Sequence, residues 1–458
     1  MNSIIAENLR TEQTVKLRID AFFLMIGASK LLKASNFYKE SGIPCLNVLK
    51  TIFTLIFTER NLYRTLTTNP ETVGFSKNTA YRFLNSQTYN WSKFLRMAAE
   101  NIIKYISAAT NEDRTKVLIV DDSLYDRNRS KKVELLARVY DHSIHKFVKG
   151  FKMLTVGWSD GYSFIPAAFS LLSSQKDTNV ICQSAAKDKR TIAYKRRLQA
   201  KSKSTDVLIE LLSSIKHLPA KNVLFDSWFG LPKTICKVCG LGFNVICMVK
   251  NSSKIHYCYN NEWVPVSKLH KIAVKQGKNK GNITGSIQVS IRESKTSESL
   301  IPAKLVFVEA RDSKEFLTIL STDVKISDEE ILRIYGMRWN IEVFFKMCKS
   351  HLALAKEFQG RSYDMLISHT TIVFLRYMML SVEHRNSNDL RTIGGLFYNI
   401  CDEVKDINLN EALVLILSIL KETLLQQSAI SEELFKDILN AFFSSLPTFW
   451  SKKFKLCA

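Results

Sequence analysis

Acidic residues are scarce in this chain of 458 residues. Its 43 Asp and Glu face 65 Lys and Arg, leaving a formal charge of +22, a balance that attracts polyanions through counterion release. Long apolar runs are also missing. None reaches the roughly 18 residues a bilayer span needs, since Leu366 to Leu380 is broken by His369 and Arg376 and Ala412 to Leu420 is too short. Both are read as buried helices, and no membrane partner is expected. Residues 1–17 lack the apolar core and small-residue cleavage site of a secretory signal, so a cytoplasmic protein is expected. The nine cysteines are odd in number and scattered, which fits reduced thiols better than a disulfide framework. Cys236-Lys-Val-Cys239, with Cys247 and Cys258, lacks the repeated paired spacing of a zinc ribbon. Neither an internal repeat nor a low-complexity tract stands out.

What is present is globular: 46% hydrophobic residues can fill a sizeable core, and the length suits two to four domains. Residues 1–110 read as helices, at Asp20 to Ala34, Leu46 to Thr58, Asn78 to Leu84 and Trp91 to Ser107. Ser76 to Leu84 presents Lys77, Tyr81 and Arg82 and reads either as a DNA-contacting helix or as an ordinary amphipathic one.

From about 115 the texture turns β-rich. Val117-Leu-Ile-Val120 leads into Asp121-Asp122-Ser123, and the runs Phe151 to Trp158 and Tyr162 to Leu172 flank Ser159-Asp-Gly161, a hairpin pattern. Lys187 to Lys203 holds Asp188 as its sole acid among many Lys and Arg and is expected to be a mobile loop near phosphate. A helix over Thr205 to Lys216, the strand Asn222 to Phe225 delivering Asp226, the helix Leu231 to Val238 and the strand Phe243 to Val249 form a parallel β-α-β crossover. Short β-prone pieces follow between 251 and 316, at Tyr257 to Tyr259, Trp263 to Val266, Gly285 to Ile291 and Lys304 to Val308. Leu317 to Leu320 returns to a strand, one long helix from Asp328 follows, and the remainder reads as helical.

That helix carries the densest chemistry. Ser327-Asp-Glu-Glu330 is a capping box that opens it. At roughly 100° per residue Tyr335, Arg338 and Lys349 point within about 40° of Glu342, so a phenol, a guanidinium and an ammonium surround one carboxylate. Asp122 and Asp226 sit at predicted strand ends, where open α/β sheets place ligands, and a neighbouring helix can add Glu342. Asp122 is preferred to Asp121 because adjacent strand residues point to opposite faces and Asp122 lies nearer the strand's exit. Three carboxylates without Cys or His suit Mg²⁺ or Mn²⁺. Two such ions about 4 Å apart activate a water or a 3′-hydroxyl and stabilise a leaving oxygen, the chemistry of phosphodiester cleavage and transfer.

The spacing Tyr-x2-Arg-x3-Glu-x6-Lys, filled by Tyr335, Arg338, Glu342 and Lys349, resembles the signature of DDE insertion-sequence transposases of the insertion-sequence-four family. It is accompanied by Asp122 ahead of Ser123, by Leu224-Phe-Asp226-Ser-Trp-Phe229, and by Asp141-His142 and Lys149-Gly150; the resemblance covers roughly residues 75–380. It implies an RNase H-like core, a mixed sheet flanked by helices, interrupted by a β-rich insertion. The expected units are a helical DNA-binding part at 1–110, core at 111–250, insertion at 251–316, core with the Glu342 helix at 317–365 and a helical C-terminal part at 366–458. By the same resemblance Asp122, Asp226 and Glu342 are the catalytic metal ligands for two Mg²⁺ or Mn²⁺ ions, while Tyr335, Arg338 and Lys349 hold DNA phosphates. Lys346, one turn beyond Glu342, is added on spacing alone. The family often has a small residue two positions after the second Asp and an aromatic two later, whereas this chain has Trp228 and Gly230.

In some relatives an aromatic of the insertion stacks on a flipped base. Trp263 is the candidate here, although a tryptophan in a small β unit also serves as its core. The implied activity is cut-and-paste transposition by a homodimer acting on double-stranded terminal inverted repeats and target DNA, in a bacterial-type, nucleoid-associated setting. The alternatives are a hydrolytic nuclease of RNase H fold and a non-catalytic DNA-binding derivative.

Overall fold

A computed structural model of the chain describes residues 18–386, apart from 59–60, 69–72, 111–112, 142–143, 186, 277–281, 310–315 and 359, together with isolated positions from 393 to 441. Most of the helical stretch expected after 386 therefore lies outside the described residues, as do residues 1–17.

The strands are β1 (Val117–Asp126), β2 (Ala137–Asp141), β3 (Lys146–Ser159), β4 (Phe164–Leu172), β5 (Asn222–Phe225), β6 (Asn244–Val249), β7 (His256–Tyr259), β8 (Glu262–Pro265), β9 (Ile283–Ile291), β10 (Ile301–Glu309) and β11 (Phe316–Ser321). They join one mixed sheet in the order β2-β3-β1-β5-β6-β11-β10-β9-β7-β8, with β4 also paired to β3. β1 is central because its first four residues, Val117 to Val120, are β-branched or aliphatic and wholly buried, as a strand covered on both faces requires. Its partner β3 is antiparallel, β5 is parallel to it, and β6 is parallel to β5. The β3–β4 hairpin closes where Ser159-Asp-Gly161 sets it. Asp160 Oδ1 accepts from the main-chain amides of Tyr162 and Ser163 at 3.1 and 2.8 Å, and Gly161 takes a φ of +89°, a conformation glycine adopts freely.

The strands of residues 251–316 prolong the same sheet through β11, which pairs antiparallel with both β6 and β10. This region also contains a helix that the β-prone reading overlooks, Val266–Gln276, whose buried Val266, Leu269 and Ala273 follow helical spacing. Two further expectations are corrected. Lys187 to Lys203 is in large part a helix, Ile192–Ala200, N-capped by Thr191, whose hydroxyl accepts from the Tyr194 amide. Its Arg196 and Arg197 turn inward to Asp364 and Glu134, so these charges neutralise buried acids. The expected single helix from Asp328 is two, Asp328–Gly336 and Trp339–Ser350, separated by a turn at Met337 and Arg338.

Behind the sheet lies the helix Tyr363–Asn386. By length and composition it could cross a membrane, yet its apolar stretch is entirely buried within the protein. It packs on β4 and on the helices Cys45–Thr54, Lys77–Leu84, Trp91–Ala108 and Trp339–Ser350. Ser368 Oγ donates to the Leu84 carbonyl, and Arg376 donates to the carbonyls of Ile52 and Phe53. Arg376 also pairs with Glu357, which hydrogen-bonds with His369, so a buried ion pair backed by a histidine pins this helix to the N-terminal ones.

Candidate active site

The register between β1 and β5 builds the site. Val117 lies opposite Asn222, Leu118 opposite Val223 and Ile119 opposite Leu224; continued by two residues, the same offset sets Asp121 beside Asp226. Partners in a parallel ladder share a face, so these two carboxylates look at one another. Burial, first, and repulsion from Asp226, second, push the Asp121 carboxyl up to about 7 even though Arg338 opposes both. Asp226 stands in a tight turn, its Oδ1 accepting from the Trp228 amide at 3.0 Å. Gly230 makes that turn possible, since a Cβ there would lie 2.3 Å from the main-chain oxygen of Met248.

Glu342 arrives on the helix Trp339–Ser350, which is docked on the same face of β1. Asn340 Nδ2 donates to Ser159 Oγ at 3.0 Å, and Phe344 packs on Phe164. Arg338 joins the third acid to the first: its Nη2 donates to Glu342 Oε1, and its Nη1 donates to Asp121 Oδ2 at 3.3 Å. Asp121, Asp226, Arg338 and Glu342 thus occupy one locality. Tyr335 borders it, its phenol pushed up to about 12 chiefly by burial, with Arg338 and Asp226 among its charged neighbours.

Asp122 points to the opposite face of β1, where Lys152 Nζ lies 3.4 Å from its Oδ2. Its side chain still borders the cleft, a cavity of about 340 Å³ lined also by Asp121, Lys152, Asp226, Trp228 and Lys250. Lys349 is partly buried; burial lowers its pKa while Asp141 and Asp126 oppose that shift. Lys346 is exposed. Trp263 lies on β8, the outermost strand at the far end of the sheet, seven steps from β1, and the Arg292 guanidinium sits 3.8 Å from its ring centroid. Trp228 is the aromatic beside the acids, 43% exposed, with the ammoniums of Lys152 and Lys250 at 4.8 and 5.1 Å from its ring. Sequence reasoning weighed Asp121 but preferred Asp122, and it did not assign Trp228, Lys152 or Lys250 to the site. The offset of β1 against β5 would have found the first, but it is fixed only when the strands pair.

The donor set fits a hard cation. Its three acids are all oxygen donors, and a divalent ion would offset the burial and the like-charge repulsion that together keep Asp121 weakly acidic. Among the described residues no three carboxylate, imidazole or thiolate groups already converge to hold an ion, and Arg338 supplies the positive charge between Asp121 and Glu342. No zinc set forms from Cys236, Cys239, Cys247 and Cys258; burial keeps Cys236, Cys239 and Cys247 as thiols.

No curated protein matches the chain. Residues 56–279, which include Asp121, Asp122 and Asp226 but stop short of Glu342, match the family described as DDE superfamily endonuclease, and over that span the chain is similar to a nuclease domain.

Proposed function

We propose that the protein is a metal-dependent transposase that cuts DNA at the terminal inverted repeats of its element and joins the 3′-hydroxyls to target DNA. The single observation that carries this reading is the placing of Asp121 beside Asp226 by the β1–β5 register, with Arg338 tying Glu342 to Asp121. The similarity to DDE superfamily endonucleases supports it, as does the core strand order β4-β3-β1-β5-β6 with its antiparallel first half and parallel second half, which suits an RNase H-like fold.

In this reading Asp121, not Asp122, is the first catalytic acid, with Asp226 and Glu342 as the second and third. Together they would hold two Mg²⁺ or Mn²⁺ ions, which supply Lewis-acid stabilisation of the attacking and leaving oxygens. Arg338 holds Glu342 in place and presents a guanidinium to a DNA phosphate, with Tyr335 beside it. Lys346 and Lys349 extend the cationic track along the helix, and Asp122 positions Lys152 at the cleft's edge. Trp263, covered by Arg292, is left out of the assignment. Because two element ends must be processed together, a homodimer assembles on DNA.

Full-length protein incubated with Mg²⁺ and a duplex carrying the DNA ends that flank its gene is expected to nick at those ends and to yield joined products. Asp121→Asn, Asp226→Asn and Glu342→Gln each abolish both, while Asp122→Asn keeps cleavage within about tenfold of wild type, the scale of an auxiliary contact. Undiminished cutting by Asp226→Asn and Glu342→Gln sinks the reading. Cleavage without joined products favours a hydrolytic nuclease.

A further inference from the structure

We propose that Trp228, flanked by Lys152 and Lys250, is a nucleotide platform: an unpaired DNA base next to the scissile linkage stacks on its indole, and that nucleotide's phosphate is neutralised by the two ammoniums. The inference deepens the proposed function and rests on it for the position of the scissile bond. Its grounds are geometric. Trp228 is among the chain's exposed large hydrophobic side chains, and it lies at the rim of the acid cleft. Its amide is hydrogen-bonded to the carboxylate of Asp226, and the turn is pressed onto β6 at Gly230, so the main chain that carries the ring is fixed beside the second acid. Lys152 and Lys250 approach it from separate strands, within β3 and at the exit of β6.

An aromatic plate with positive charge at its rim and carboxylates at its base matches the three parts of a nucleotide: a flat base, an anionic phosphate and the bond to be cut. Cation–π contacts at exposed sites are weaker than base–aromatic stacking, so a base can take the ring while the ammoniums turn to phosphate. Every base offers a π-face, and the platform is therefore indifferent to which base arrives.

The test uses the full chain and a forked DNA duplex whose single-stranded arm carries 2-aminopurine, in Ca²⁺ buffer so that binding is read without cutting. Wild type is expected to quench the 2-aminopurine fluorescence. Trp228→Ala should lose the quench and bind about 5- to 150-fold more weakly, and Trp228→Phe should retain part of both. An abasic residue at the probe position should weaken wild type by a similar factor and leave Trp228→Ala unaffected. No quench with wild type, or a quench and abasic sensitivity unchanged in Trp228→Ala, overturns the platform. A Trp228-dependent quench in a protein that cuts no flanking DNA would refute the enzymatic reading while leaving the platform as a DNA-binding feature.

Discussion

At the scale of single residues, adjacent aspartates on one strand have taken opposite fates. Burial and a neighbouring carboxylate push Asp121 up to about 7, whereas Asp122 has a lysine for company. A carboxyl raised from an ordinary value of 3.8 to about 7 binds its proton more tightly in the folded chain than in the unfolded one. Its contribution to stability is whole below about 3.8 and is lost as pH rises through about 7. Asp121→Asn is therefore expected to raise the melting temperature of the metal-free protein at pH 8 by a few degrees while eliminating cleavage; a fall would contradict the repulsion described. Since a hard cation competes with that proton, Mg²⁺ affinity measured by calorimetry should climb between pH 6 and pH 8 in wild type and flatten in the Asn variant. The sequence placed the acid pair directly after Val117 to Val120 and took that point for the strand's exit, whereas β1 runs on to Asp126. Its preference for Asp122 rested on that exit, whereas which of the two lies beside Asp226 depends on the offset with a strand about a hundred residues away.

Among elements, local signals served well where a segment's own pattern decided its structure. The helix Trp91–Ala108, the β3–β4 hairpin and the β5-helix-β6 crossover lie within a few residues of their expected bounds. They failed where tertiary partners decided. Arg196 and Arg197 read as solvated charge until Glu134 and Asp364, remote in sequence, are brought beside them. The capping box at Ser327 is half formed. Ser327 Oγ accepts from the Glu330 amide at 3.1 Å, but the Glu330 carboxylate pairs with Arg333 instead of reaching back. Ser327→Ala should thus cost about 1 kcal/mol, the value of one side-chain cap, seen as a small shift of the urea midpoint with cleavage retained. Gly230→Ala should be harsher. The added methyl meets backbone at β6, which cannot swing aside as a side chain would, and a loss of about 1–3 kcal/mol is expected, together with displacement of Asp226 and reduced cleavage.

Across the whole molecule, the buried Arg376–Glu357 pair of the helix Tyr363–Asn386 outweighs the surface pairs. Arg376 is fully buried against Glu357, so Arg376→Met strands a carboxylate in the interior and should cost about 3–5 kcal/mol. Lys104→Ala, which breaks an exposed pair with Glu100, should cost under about 1 kcal/mol; comparable effects in thermal melts would overturn that ranking. Although burial opposes it, Arg376 and His369 hold the Glu357 carboxyl down to about 2, against an ordinary 4.5. Its stabilisation is complete above about 4.5 and disappears as pH falls toward 2, so acid unfolding of wild type should fall in that window and be blunted in Glu357→Gln.

The helix Tyr363–Asn386 also bears on how the polypeptide is made. Buried on all sides, it offers no single greasy face that a half-finished protein could seal. Its contacts reach back to residues emerging from the ribosome three hundred positions earlier, at Ile52 and Phe53. The early helices must wait, partly uncovered, until this late segment is synthesised, and a chain ending before residue 363 would leave the carbonyls of Ile52 and Phe53 without the guanidinium they accept from.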